Sequence, residues 1–137
     1  MRNIILMLCL FLSFTAKAQI DPGAIQSKDL LRYGNYQSPT PAKYRLYPTS
    51  NIFTFLRLNT TNGFIDVVQY STKDNAMIYG LSTYPLVDNG TIDRFTIYPT
   101  LNMWTFLLLD QVEGNTYQVQ WSTDSKKQFV VQIRKEE

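Results

Sequence analysis

The side chains that carry most enzymatic chemistry are nearly absent from this sequence. Its 137 residues contain no histidine and one cysteine, Cys9. Without histidine there is no Ser-His-Asp or Cys-His relay, and a zinc site loses its commonest nitrogen ligand. No glycine-rich phosphate loop is present. Paired carboxylates, as in glycoside hydrolysis, are the catalytic chemistry left open. With 11 acidic residues in the chain, finding two near each other carries little information. Asp88, Asp93 and Asp110 lack the ligand spacing of a calcium loop. The sequence therefore reads as a non-enzyme, with no catalytic residues, no cofactor and no metal site.

The chemistry that remains is recognition through aromatic rings. Fourteen per cent of the chain is aromatic, with nine tyrosines. Tyr47, Tyr98, Trp104 and Trp121 are the candidate binding residues, because such rings stack on sugars or anchor protein interfaces. Asn51 and Asn102 are their candidate polar partners. The competing reading of these six residues is core packing and turn structure.

The elements that position them come from a duplication. Residues 47–72 align with 98–123 without a gap, and 13 of the 26 positions are identical. Repeats of this kind signal stacked structural units. The matches include Tyr47/Tyr98, Pro48/Pro99, Thr49/Thr100, Asn51/Asn102, Phe55/Phe106, Gly63/Gly114 and Gln69/Gln120, with Phe53/Trp104 and Tyr70/Trp121 as aromatic exchanges. Each copy predicts four short strands, at 43–47, 52–58, 64–71 and 76–81, then at 93–98, 103–109, 115–122 and 128–134. Pro48 and Pro99 cannot donate to a ladder and end their strands. Pro-Thr-x-Asn is turn chemistry. Gly63 and Gly114 supply the positive φ of a short hairpin loop. Asp110 and Glu113, opposite Asn59 and Asn62 in the other copy, are read as residues of that loop.

The second strand of each copy is apolar on both sides. Phe53 and Phe55 oppose Ile52, Leu56 and Leu58, and Trp104, Phe106 and Leu108 oppose Met103, Leu107 and Leu109. Such a strand is covered on both faces. One face belongs to the domain's own core; the other packs on the sister repeat, the N-terminal segment or a partner. Arg57 stands where the second copy has Leu108, so that face is expected to be the more exposed one in the first copy.

The N-terminus reads as an export signal. Arg2 precedes an apolar stretch of Ile4–Phe14, and Ala16-Lys17-Ala18 is a cleavage pattern, placing the mature start at Gln19. The stretch is too short for the roughly 20 residues of a membrane span. Arg2 and Lys17 leave with it, so the mature chain carries 11 basic and 11 acidic side chains. It lacks the basic excess of a nucleic-acid binder. It also lacks cysteine, so its 119 residues fold on a hydrophobic core alone.

The expected organisation is a signal peptide at 1–18, an N-terminal arm or linker at 19–42, a β-repeat at 43–82, a connector at 83–92 and a second β-repeat at 93–137. The expected fold is all-β. Two tandem four-stranded antiparallel meanders pack as one barrel-like, sandwich-like or blade-like domain with pseudo-twofold symmetry. An oligomeric propeller is the alternative.

The motif Tyr-Pro-Thr-x-Asn-x-aromatic-Thr-Phe-Leu-x-Leu-Asp/Asn, followed by Gly and by Val-Gln-aromatic-Ser, resembles a family of small exported Bacteroidota proteins that carry this unit in tandem. The resemblance extends over about residues 43–134. It implies bacterial origin and a periplasmic or secreted location, and it brings no catalytic or binding residues. The first copy departs from the fuller unit at Asp66 and at Lys73-Asp74. The function expected is binding of an envelope glycan or a protein partner, without nucleic acid and without stable membrane insertion. An inhibitor or immunity protein, using divergent positions such as Arg57, Asp66 and Lys73, is one alternative. A structural or assembly role with homo-oligomerisation is the other.

Overall fold

The computed structural model describes residues 40–136. The segment expected to be a signal peptide, with Cys9, and nearly all of the expected N-terminal arm lie outside the described residues. The rest forms eight strands: β1 Tyr44–Pro48, β2 Thr54–Asn59, β3 Ile65–Gln69, β4 Met77–Gly80, β5 Phe95–Pro99, β6 Thr105–Asp110, β7 Thr116–Gln120 and β8 Phe129–Gln132. They build two four-stranded antiparallel meanders, ordered β1-β2-β3-β4 and β5-β6-β7-β8. The fold is thus all-β, with two sheets from two repeats and no closed barrel. A 3-10 turn at Ser125–Lys127, capped by Asp124, precedes β8. No helix among the described residues is long and apolar enough to cross a membrane.

The strands fall within a residue or two of where the sequence places them. Pro48 and Pro99 are the last residues of the edge strands β1 and β5. Thr49 and Thr100 then fold the chain back. Each threonine hydroxyl donates to the carbonyl of Thr54 or Thr105, at 2.9 and 2.8 Å, and accepts from the amide of Asn51 or Asn102, at 3.1 Å in both. The β2–β3 and β6–β7 loops close on glycines at φ +75° and +74°. Gly63 and Gly114 donate their amides back to the carbonyls of Asn59 and Asp110.

The two sheets share one apolar core. Tyr47, Leu56, Leu58, Ile65 and Val67 come from the first, and Phe95, Ile97, Phe106, Leu108, Val119 and Trp121 from the second. Leu86 and Val87 of the connector pack against it. These two sets are not repeat equivalents. The equivalents of Leu56 and Leu58 are Leu107 and Leu109, which are only half-buried. The equivalents of Phe106 and Leu108 are Phe55 and Arg57, also half-buried. The same inversion holds along every strand, so the sheets meet through opposite faces of the repeat. A twofold axis between two stacked sheets would bury the same face of each. The relation here is head-to-tail and not the pseudo-twofold one expected, while the all-β fold of two four-stranded meanders is as expected. The exposure of the Arg57 face in the first copy follows from it.

Polar groups fix the junction. The Thr60 carbonyl accepts from the Phe95 amide at 2.9 Å, and its hydroxyl accepts from the Asp93 amide at 3.1 Å. Arg45 reaches across from β1 to Asp93 at 2.9 Å. The two hairpin glycines differ in surroundings despite equal φ. A Cβ on Gly63 would stand 2.8 Å from Leu86 and 3.1 Å from Phe95, whereas one on Gly114 meets nothing. Gly114→Ala is expected to cost about 1 kcal/mol, the left-handed backbone penalty alone. Gly63→Ala carries the same penalty plus displacement of the connector, and urea denaturation should show the larger loss there.

Candidate recognition tip and the buried ion pair

The six candidate residues separate into three environments. Asn51 and Asn102 are turn residues: their side-chain oxygens accept from the amides of Phe53 and Trp104 at 2.9 and 3.0 Å. Tyr47 and Tyr98, equivalent in sequence, occupy different environments, one on the inner face of its sheet and the other on the outer face. Tyr47 is in the inter-sheet core at 5% exposure, while Tyr98 is on the outer face of the second sheet at 39%. Trp121 is core at 1% exposure, and its indole nitrogen donates to the Met103 carbonyl at 3.0 Å. The Trp104 ring packs against it, tilted by 42° at 4.7 Å between centroids, and stays partly exposed. The Trp104 and Trp121 rings are in contact, and Asn102 caps the turn that carries Trp104.

The strongest surface feature includes residues the candidate set did not name. The two Pro-Thr-x-Asn turns, β1–β2 and β5–β6, belong to different sheets, and a hydrogen bond between them shows that they are neighbours. The Ser50 hydroxyl donates to the Met103 carbonyl across them at 3.4 Å. Ile52 and Leu101 at these turns are 72% and 81% exposed, Met103 and Trp104 are exposed as well, and Phe53 packs against Tyr70 of its own sheet. The motif has two variable positions, Ser50/Leu101 and Ile52/Met103, and all of these but Ser50 are exposed apolar residues. The spacing of the repeat held this information, but only stacking of the sheets makes one patch from two turns.

Asp110 and Glu113 meet the expectation of loop residues. Asp110 accepts from the amides of Val112 and Glu113 at 3.0 and 3.3 Å. Asp110 is also almost fully buried and paired with Arg94, through Nε at 3.0 Å and Nη2 at 2.8 Å. Glu113 joins the same guanidinium at 3.1 Å. This pair is invisible in the first copy, where Lys43 and Asn59 take the two positions. The Arg94 guanidinium holds the Asp110 carboxyl below the usual carboxylate range; burial opposes this, and the two loop amides reinforce it. Burial, with the nearby Asp110 and Glu113 carboxylates, pushes the Tyr117 phenol up. Both Asp110 oxygens are occupied by Arg94 and the loop, so the geometry serves the loop's structure.

Arg57 and Asp66, two of the divergent positions, pair with each other across β2 and β3 at 2.7 Å on the outer face of the first sheet. Lys73 lies exposed in the turn before β4. A shallow groove between the connector and β8, lined by Tyr84, Leu86, Phe129 and Val130 among others, has no charged wall. No cluster of three metal-ligating side chains occurs among the described residues. Neither protein-family models, curated proteins nor solved structures give a match to this chain.

Two outcomes follow. The Tyr47 hydroxyl is buried without a hydrogen-bond partner. Tyr47→Phe removes an unsatisfied polar group, so it should be neutral or up to about 1 kcal/mol stabilising in chemical denaturation. For Asp110, a depressed folded pKa means that the native state binds fewer protons than the unfolded one around the ordinary carboxylate pKa. Its contribution is therefore complete above about pH 4 and is lost as pH falls through the folded value. Asp110→Asn should lower stability at neutral pH and flatten the acid limb, as read by urea melts at neutral and acidic pH.

Proposed function

We propose that this protein is an exported binding module that grips a protein partner through the paired-turn tip. The observation that carries the reading is the set of exposed apolar side chains Ile52, Leu101, Met103 and Trp104 on two neighbouring turns linked by the Ser50–Met103 hydrogen bond. Large exposed apolar groups gathered on a small domain mark interaction sites. Exposed aliphatic side chains beside the Trp104 ring resemble the anchors of a protein interface more than a sugar platform, which needs an open ring face among polar groups. The turns that carry the tip are rigid, because each threonine and asparagine is bonded to backbone. Preorganised apolar anchors lose little freedom on binding. Export supports an envelope partner, in keeping with the leader read from the sequence and with the resemblance to exported Bacteroidota proteins.

The test is affinity capture from an envelope extract by the mature chain. Leu101 is the most exposed of the tip residues, so Leu101→Asp leaves the core intact. It should weaken capture about 30-fold, the effect of losing an interface anchor of about 2 kcal/mol. Trp104→Ala should act in the same direction, and Tyr98→Ala, on a different face, should leave the partner bound. Capture of polysaccharide lost in the same variants would move the reading to a glycan. A bound set unchanged by both tip variants would end it.

A further inference from the structure

The inversion of faces leaves the molecule open at both ends. In the internal interface, Leu56, Leu58 and Val67 of the first sheet lie buried with Phe106, Leu108 and Val119 of the second. The repeat equivalents of the first group are Leu107, Leu109 and Gln118, and they form the outer face of the second sheet. The equivalents of the second group are Phe55, Arg57 and Val68, and they form the outer face of the first. Each outer face is thus a further copy of one half of an interface that the chain already makes with itself. A heterologous contact of this kind has no built-in reason to stop after two units.

We propose that these two outer faces bind each other between copies of this chain, head to tail, repeating between molecules the packing that joins the two sheets within one. Both faces keep apolar surface at their margins: Leu46 and Ile78 on one, Tyr98 and Val131 on the other, all exposed. Both are polar at matching central places. Arg57 and Asp66 replace Leu108 and Tyr117, while Thr116 and Gln118 replace Ile65 and Val67. The Arg57–Asp66 pair is already neutralised within its own face, at 2.7 Å. It therefore meets hydroxyl and amide groups and not an opposing charge. A centre of this composition makes the contact weaker and more reversible than the internal one. The two faces lie on opposite sides of the molecule. One chain segment covers one of them, whereas neighbouring copies cover both. Four-stranded blades close rings at about four to eight units, so two blades per copy give about two to four copies in a closed assembly.

Light scattering on size-exclusion fractions of the mature chain, over a wide range of concentration, tests this. The wild type should exceed monomer mass. Leu46→Glu blocks only the first face. Leu107→Glu blocks only the second, with the more exposed Val131→Glu as its replacement if circular dichroism shows a folding defect. Each variant alone should be monomeric, because every contact needs one face of each kind. An equimolar mixture of a first-face and a second-face variant should form dimers and nothing larger. A wild type monomeric at every concentration overturns the proposal, as does an arm of the chain covering a face, which gives the same result. One variant leaving the assembly intact, as a same-face contact requires, or a mixture that stays monomeric, also overturns it.

Discussion

The packing of one face of a repeat on the opposite face of its sister is the constraint on which the rest of this structure depends. It decides the fate of every duplicated residue. Tyr47 is buried and Tyr98 is exposed; Trp121 is buried and its equivalent Tyr70 is 45% exposed. The two pairs invert in opposite directions, as they must when one sheet contributes its upper face and the other its lower. A meander with apolar residues on both sides of its central strand is a unit that accepts a neighbour on each side. Two such units bury two of their four faces and leave two.

Divergence between the copies follows the same division. Where a face is interior, its centre is Leu108 and Tyr117 or Ile65 and Val67. Where the equivalent face is exterior, the same places hold Arg57 and Asp66 or Thr116 and Gln118. Terminal units of stacked repeats are polarised on the outer side for solubility. Here the margins remain apolar, which distinguishes these faces from a fully solvated cap. The charges that are buried serve the junction and the loops. Arg45 ties β1 to Asp93 ahead of β5, and Arg94 ties the start of β5 to the β6–β7 loop through Asp110.

The motif that repeats most strictly turns out to be mechanical at its invariant positions, and its two variable positions supply the link and the exposed apolar groups. Threonine and asparagine build the turn through their bonds to backbone, so they recur unchanged. The residue between them and the residue after asparagine are free of that duty. They are Ser50 and Ile52 in one copy and Leu101 and Met103 in the other, and they make the link between turns and the exposed tip.

Much of this architecture was legible in the sequence. The 51-residue offset, the prolines that end strands and the glycines at positive φ fix two meanders, because each rests on backbone chemistry confined to a few neighbouring residues. The two-sided strand carried the expectation that both of its faces are covered, and among the described residues the sister sheet covers one of them. Sequence could not say which face of each copy turns inward, since period-two alternation is the same for both. That depends on how the connector delivers Phe95 to Thr60, a contact between residues 35 positions apart. The Arg94–Asp110 pair escaped for a related reason: its members belong to different elements, and the sister copy has neither. The tip is a property of two turns at once. The sequence determined each turn, and only the stacking of the sheets decided that they stand together.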